Sequence, residues 1–172
     1  MAMQIAAQAG ATVVGLAGGP IKTAFARQFG ETVIDYLDPA WPMYAKDAVG
    51  GRGFDIILDG NGGPNSASNI ALVAPLGRLL YIGNSANSPV APIAIETLIA
   101  RSFSVGGMTL QQVEKLAPPA IATKLIEAVA TGLLRVPISE IVPLVEVASL
   151  HAKLEGRAVR GRAVICVDDG IL

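Results

Sequence analysis

The sequence has very few of the residues that form covalent or metal cross-links. Among 172 residues there is one cysteine, Cys166, and one histidine, His151. A single cysteine cannot form a disulfide within the chain, and structural zinc sites are built from several Cys or His ligands. We therefore expect no internal disulfide and no metal centre.

Charged residues and long apolar runs are also scarce. Charged residues make up 16% of the chain and the net charge is −1, which favours neither nucleic acid nor an anionic membrane surface as a partner. Although 52% of the residues are hydrophobic, every apolar stretch is broken before the roughly 18 residues that span a membrane. The amino terminus lacks the features of a signal peptide. These properties predict a soluble, cytoplasmic protein with no nucleic-acid and no membrane partner.

The clearest features of the sequence are two apolar runs that each end in a small polar loop. Residues 54–59 are followed by Gly60-Asn61-Gly62-Gly63, and residues 78–82 by Gly83-Asn84-Ser85. A helical stretch over 65–74 separates them. Uninterrupted apolar strands joined by a helix predict a parallel α/β crossover, in which ligands gather beyond the carboxyl ends of the strands.

The rest of the chain continues this alternation and predicts one domain over residues 1–172. Further strands are predicted at 11–17, 33–36, 102–108, 138–144 and 162–167. Further helices are predicted at 1–8, 20–29, 42–49, 93–101 and 145–155, with a long one after Pro119 that ends near Gly132.

Several local sequences carry a resemblance to a known family. They are Gly10 to Gly15, Val33-Ile34-Asp35-Tyr36, Gly50 to Asp55, Leu58 to Gly63, Gly83-Asn84-Ser85, and His151 to Glu155. In this order they resemble the cofactor-binding half of the medium-chain dehydrogenase/reductase superfamily, and within it the zinc-free, quinone-oxidoreductase-like enzymes that use NADPH. The resemblance implies a Rossmann-like three-layer α/β sandwich with a mostly parallel sheet. It also implies hydride transfer to a quinone or an activated double bond of a small-molecule substrate.

Compared with that family, residues 1–172 are expected to lack the catalytic domain, the first strand and the glycine-rich phosphate turn. Residues 136–172 correspond to a segment that packs on the catalytic domain in relatives. The first strand is central in the order 3-2-1-4-5-6, so strands 11–17 and 54–59 should each have an open edge. These strands could pair directly, a partner could donate a strand, or strand 163–167 could move in. We favour a homodimer or a strand swap.

The resemblance also assigns cofactor-binding residues. Lys22 and Tyr36 match positions that contact the 2′-phosphate of NADPH, and the first predicted strand ends in Ala17-Gly18 without an acid for a ribose hydroxyl. The loops that line the rest of the cofactor match Asn61, Gly62, Gly83, Asn84 and Ser85. The alternative is that Lys22 is solvated, Tyr36 is an edge aromatic, and the loop residues are ordinary turn residues.

Other polar residues suggest structural roles. We interpret Asp59 as a loop-fixing acceptor of backbone N–H groups. His151 could form a hydrolase site with Ser66 or Ser85, but without a Gly-x-Ser-x-Gly elbow a structural histidine is the better interpretation. Cys166 is expected to be a buried, inert thiol.

Five charged residues near the carboxyl terminus are expected to be solvated: Arg157, Arg160, Arg162, Asp168 and Asp169.

The sequence leaves three functions open: an NADPH-dependent oxidoreductase-family domain, a non-redox binding or assembly module, and a hydrolase. The sequence leaves open whether residues 1–172 act as an enzyme alone.

Overall fold

A computed structural model describes residues 1–116 and 118–167. The chain divides into two compact units, a central unit (Ala11–Pro119) and a terminal unit (Met1–Gly10 with Ala120–Leu172). That residues 1–172 form one domain stays a prediction, as does the role of residues 136–172.

The order of helices and strands follows the predicted alternation. The helices are α1 (Ala2–Gln8), α2 (Pro20–Ala26), α3 (Trp41–Asp47), α4 (Ser66–Leu72), α5 (Ile95–Arg101), α6 (Leu110–Leu116), α7 (Pro119–Ala130) and α8 (Val147–Glu155). The strands are β1 (Val14–Ala17), β2 (Thr32–Asp35), β3 (Phe54–Asp59), β4 (Val73–Tyr81), β5 (Ser104–Gly107), β6 (Ile138–Pro143) and β7 (Arg162–Cys166). The sequence did not predict α6. No helix in the described ranges is long and apolar enough to cross a membrane.

The central unit contains two parallel sheets. In one, β1 pairs with β2, with Gly15 opposite Val33. In the other, the order is β3-β4-β5, with Leu79 between Ile57 and Val105. The α/β class with parallel sheets is thereby confirmed. The two sheets correspond to the 3-2 and 4-5-6 parts of the classic doubly wound order.

The central position of that order is not filled by a strand of the described residues. β1 pairs only with β2, β3 pairs only with β4, and β7 pairs with β6 in a separate two-stranded sheet. The two predicted closures that would use this chain's own strands, direct pairing and insertion of 163–167, are therefore wrong for residues 1–167. The expectation that β1 and β3 have open edges is confirmed.

Helix α3 contributes to a core that the two sheets share. Trp41 and Ala45 are buried in one cluster that also includes Leu72 of α4. Ile34 of β2 and Ile57 of β3 pack against this same cluster. One apolar cluster built from α3 and α4 is therefore shared by both sheets.

Helix α4 ends two residues earlier than predicted. Val73 is extended (φ −66°, ψ 130°) and lies opposite Phe54 in the sheet. Pro75 limits the helix, because it drives the residue before it, Ala74, out of the helical region and has no N–H to continue the helical hydrogen bonds. The strand register then shifts, and Leu76 adopts a positive φ of 62°.

The guanidinium of Arg101 replaces the missing partners of the α4 carbonyls. It donates to the carbonyl oxygens of Ile70 at 2.7 Å, Ala71 at 3.1 Å and Val73 at 2.7 Å. The same group lies 5.1 Å from the ring centre of Phe103. Arg101 thus ties α5 to the carboxyl end of α4, where the helix leaves backbone acceptors unpaired.

Tyr81 ends β4 with an unusual polar atom. Its hydroxyl oxygen is buried and has no hydrogen-bond partner among the described residues. Burial raises the pKa of Tyr81, and the negative charge of Asp59 raises it further. The fold therefore favours the neutral phenol.

In the terminal unit, β6 and β7 form a parallel pair and α8 packs on β6. The side chain of Gln4 on α1 bonds both the carbonyl and the N–H of Arg135, at 3.0 and 2.9 Å. Lys153 of α8 forms an ion pair with Glu140 of β6 at 2.6 Å. These contacts join α1, the turn before β6, and α8 into one unit.

Two predictions for the terminal unit are wrong. Cys166 is only half-buried, because β7 has one strand neighbour and its faces are partly open. His151 is exposed on α8 and no hydrogen bond holds it in the described part of the chain, so it is not a structurally fixed histidine. Arg157, Arg160 and Arg162 are exposed as predicted. Asp168 and Asp169 lie outside the described residues.

Replacing Arg101 by methionine should lower the free energy of unfolding by about 2 kcal/mol, because three backbone acceptors lose a charged donor. The control is Arg78→Met, since Arg78 is exposed and makes no hydrogen bond or ion pair with described residues. Urea unfolding followed by circular dichroism measures both. Equal effects of the two substitutions would contradict the role given to Arg101.

Tyr81→Phe should stabilise the protein by about 1 kcal/mol at pH 8, because it removes a buried hydroxyl without a partner. The wild type should also lose stability as the pH rises above about 10, because the unfolded tyrosine ionises there while the folded phenol keeps its proton. The gain from Tyr81→Phe should therefore grow between pH 8 and pH 10.5. Urea unfolding at both pH values, with the exposed Tyr44→Phe as control, tests this; a gain that does not grow with pH would contradict it.

Candidate functional site

The predicted cofactor residues fall into two groups at the carboxyl ends of strands in the central unit. The first group follows β1 and β2. A Cβ atom on Gly18 would lie 2.7 Å from the hydroxyl oxygen of Tyr36, so the tyrosine ring lies directly on this glycine. The close approach requires glycine at position 18, because any side chain would displace the ring.

An aspartate that the sequence analysis did not select supports this first group. One carboxylate oxygen of Asp35 accepts the N–H groups of Gly19 at 2.8 Å and of Leu37 at 2.9 Å. It thereby ties the loop after β1 to the loop after β2. The first predicted strand carries no acid, whereas parallel pairing sets Asp35, at the end of the second strand, opposite Ala17. Aligning the two predicted strands in parallel would have shown that Asp35 lies beside the loop after β1.

Lys22 lies on α2, four residues after Gly18. It is half-buried, and its ammonium group makes no hydrogen bond or ion pair with the described residues. The neighbouring Thr23 is buried and donates to the carbonyl of Gly19 at 2.8 Å. The backbone that carries Lys22 is therefore fixed, while its charge is left to interact with solvent or a ligand.

A groove of about 390 Å³ lies beside this group, between α2, β2 and α3. It is lined by Pro20, Thr23, Arg27, Val33, Ile34, Asp35, Asp38 and Tyr44. Neither Lys22 nor Tyr36 lines it. The groove is therefore distinct from the predicted cofactor residues, although Asp35 borders both.

The second group is organised by Asp59 at the end of β3. One carboxylate oxygen accepts the N–H groups of Asn61 and Gly62, each at 2.8 Å, and the other accepts the side-chain amide of Asn69 at 2.9 Å. Asp59 is only 5% exposed. Three donors satisfy this buried carboxylate, which confirms the interpretation of Asp59 as a loop-fixing acceptor.

Close packing joins the loop after β3 to the loop after β4. Gly62 has a φ of +65°, and a Cβ there would lie 2.6 Å from the side-chain oxygen of Asn84. The hydroxyl of Ser85 donates to the side-chain oxygen of Asn61 at 3.0 Å, and Asn84 donates to the carbonyl of Ser88 at 3.1 Å. The structure thus brings together Asn61, Gly62, Asn84 and Ser85. Gly83 is packed nearby, since a Cβ atom added to it would lie 3.1 Å from the carbonyl oxygen of Gly60.

Ser66 anchors the next part of the same loop. It is fully buried, donates to the carbonyl of Gly63 at 2.7 Å, and accepts the N–H of Ala91 at 2.6 Å. The hydroxyl groups of Ser66 and Ser85 therefore both donate to hydrogen bonds that hold the loops. This arrangement favours neither serine as a nucleophile, and the hydrolase alternative gains no support from it.

The two groups lie on different sheets, and no described hydrogen bond joins them. Within residues 1–116 and 118–167 there is also no group of three or more His, Cys, Asp or Glu side chains placed to hold a metal ion. The site is therefore a set of glycine-rich and amide-bearing loops with one uncommitted cation, Lys22.

Asp59→Asn should destabilise the protein by about 2 kcal/mol, because the new amide nitrogen cannot accept from donors that now face it. Amide hydrogen exchange of Asn61 and Gly62 should speed up at the same time. The control is Asp55→Asn, whose exposed ion pair with Arg52 should contribute less than about 1 kcal/mol. Unchanged exchange in the Asp59 variant would contradict the role of this carboxylate.

Comparison with known proteins supports the fold and the family. The family described as zinc-binding dehydrogenase matches residues 1–128. No curated protein was found with significant similarity.

Several solved structures share the fold. An NAD-dependent alcohol dehydrogenase is 28% identical, with a TM-score of 0.84 over 97% of this chain and 47% of its own. A quinone oxidoreductase of Pseudomonas syringae pv. Tomato DC3000 is 26% identical, with a TM-score of 0.81 over 96% and 52%. A mycobacterial protein solved in complex with NADPH is 25% identical, with a TM-score of 0.80 over 96% and 52%.

The chain spans about half the length of these structures. It shares their Rossmann-like fold and is similar to the cofactor-binding part of oxidoreductases. The family name mentions zinc, yet the described residues offer no ligand set for it. On the match to residues 1–128, the chain belongs to the zinc-binding dehydrogenase family, as a quinone-oxidoreductase-like cofactor-binding domain of the medium-chain dehydrogenase/reductase superfamily.

Proposed function

We propose that this domain binds NADPH and serves a quinone or enone reductase-type oxidoreductase. The observation that carries the proposal is the packing of Tyr36 on Gly18 at the carboxyl ends of β1 and β2. The ammonium of Lys22 on α2, four residues after Gly18, is not engaged by any described residue. A nicotinamide cofactor supplies the hydride, and the protein's task is to bind and orient it. The mycobacterial neighbour in complex with NADPH supports this choice of cofactor.

At the adenosine end, Lys22 and Tyr36 would hold the 2′-phosphate. A phosphate needs cations and hydrogen-bond donors, and the ammonium of Lys22 and the hydroxyl of Tyr36 provide them. Asp35 carries a negative charge close by, but two backbone N–H groups already engage one of its oxygens. Selectivity for NADPH over NADH should therefore depend mainly on Lys22.

At the other end, the joined loops after β3 and β4 would line the remainder of the cofactor. Gly83 is exposed and has no side chain, so a ligand can approach its backbone closely, whereas Gly62 is buried beneath Asn84. Asn61, Asn84 and Ser85 provide polar atoms, and their mutual hydrogen bonds fix the loops before a ligand arrives. Such fixed loops reduce the ordering cost of binding.

The proposal concerns cofactor binding, and no catalytic residue or substrate is assigned within residues 1–172. The rival proposal is a non-redox binding or assembly module that retains the scaffold without the cofactor. Titration separates the two, because only the first requires nucleotide binding.

Isothermal calorimetry with NADPH and NADH tests the proposal. Lys22→Ala should weaken NADPH binding by about tenfold, the loss of one charge-assisted contact, and should leave NADH binding nearly unchanged. Lys46→Ala on α3 is the matched control, since Lys46 is exposed on a different helix. Absence of NADPH binding at millimolar concentration would refute the proposal and favour the assembly module.

A further inference from the structure

The loop after β3 contains a chemically labile pair of residues, Asn61-Gly62. An asparagine side chain loses its amide when the backbone nitrogen of the next residue attacks its Cγ atom. Glycine in the second position favours this attack, because it has no Cβ to obstruct the approach. The other asparagines of the sequence precede serine or isoleucine: Asn65, Asn69, Asn84 and Asn87. Asn61 is therefore the asparagine that is intrinsically most prone to deamidation.

The reaction at Asn61 needs no partner other than water. Ring closure forms a bond from the backbone nitrogen of Gly62 to Cγ of Asn61 and breaks the bond from Cγ to the side-chain nitrogen. That nitrogen leaves as ammonia and takes up the proton that the nitrogen of Gly62 loses. Water then opens the resulting succinimide at either carbonyl carbon, which gives aspartate or isoaspartate, and nothing is oxidised or reduced.

The folded loop engages both groups that react. The N–H of Gly62 donates to the carboxylate of Asp59 at 2.8 Å, and Gly62 is buried. The side-chain oxygen of Asn61 accepts the hydroxyl of Ser85 at 3.0 Å. Ring closure consumes this N–H and requires a side-chain amide that is free to turn onto the backbone. The reaction therefore competes with both hydrogen bonds.

The surrounding bonds make that competition costly. Asp59 is only 5% exposed, and losing the N–H of Gly62 would leave its buried charge with one donor fewer. The backbone of Asn61 is held as well, because its N–H donates to the same carboxylate oxygen at 2.8 Å and its carbonyl accepts the N–H of Ala86 at 2.9 Å. The reaction should therefore proceed from an open loop, at a rate set by how often the loop opens.

We propose that Asn61 is a site of spontaneous deamidation that the closed loop protects, and that the reaction permanently separates the loop after β3 from the loop after β4. Isoaspartate adds one main-chain carbon between the two N–H groups that share one oxygen of Asp59. Both N–H groups can then no longer reach that oxygen with the present loop. Either product also adds a negative charge two residues from the buried carboxylate of Asp59, and like charges repel strongly where water is excluded. This proposal does not depend on cofactor binding.

Incubation of the folded 172-residue chain beside the same chain in concentrated urea, at mildly alkaline pH, tests the proposal. Mass spectrometry of peptides locates the mass increase of deamidation, and enzymatic methylation detects isoaspartate. Ser85→Ala removes the donor to the side chain of Asn61. Ser104→Ala is the matched control, since Ser104 is exposed on β5 and its hydroxyl makes no hydrogen bond with described residues.

In urea, we expect Asn61 to deamidate before the other asparagines and at the same rate in all three chains. In the folded wild type the reaction should be at least about tenfold slower, because the loop is rarely open. Ser85→Ala should speed the reaction of the folded chain about fivefold, the effect of one lost hydrogen bond, and Ser104→Ala should not. The deamidated chain, separated by anion exchange, should show faster amide hydrogen exchange at Gly62 and Ala86.

Four results would overturn the proposal. They are deamidation in urea that begins at another asparagine, equal rates at Asn61 in the folded and unfolded chain, an unchanged rate in folded Ser85→Ala, and unchanged hydrogen exchange in the deamidated chain.

A second measurement uses the wild type alone and so does not depend on the folding of a variant. At urea concentrations below the unfolding transition, the deamidation rate at Asn61 should rise in parallel with the hydrogen exchange rate of Gly62. A deamidation rate that does not follow this exchange would also contradict protection by the closed loop.

Discussion

The buried carboxylate of Asp59 is the interaction on which the candidate site depends. It ends β3, fixes the following turn through two backbone N–H groups, and holds α4 through Asn69. This turn then places Gly62 against Asn84 and Asn61 against Ser85. A charge buried without donors would be very costly, so the turn can relax only if Asp59 leaves its position.

A second constraint acts at the scale of the unit. The cluster around Trp41 and Ala45 draws residues from β2, β3 and α4, and so holds two sheets under one helix without a continuous ladder between them. Apolar burial is non-directional and tolerates an unfilled strand position, whereas backbone pairing does not. This difference explains how the central unit can keep its core while β1 and β3 keep unpaired edges.

Much of the fold could be predicted because the strong signals are local. Unbroken apolar runs ending in glycine identify β3 and β4, and an acid followed by Gly-Asn-Gly identifies Asp59 as a loop anchor. The end of α4 was predicted too late, because the restriction that Pro75 places on Ala74 was not applied and the bonds from Arg101 come from about 30 residues away. Asp35 was missed because its role follows from strand register, and the exposure of His151 and Cys166 follows from which faces receive a covering layer.

The geometry of the candidate site is set by bonds that are short in sequence separation. The hydrogen bonds that shape the loops of the candidate site join residues within about 25 positions of each other, all inside the central unit. None of them uses the free edges of β1 or β3. The loops can therefore keep their geometry while β1 and β3 each have an unpaired edge.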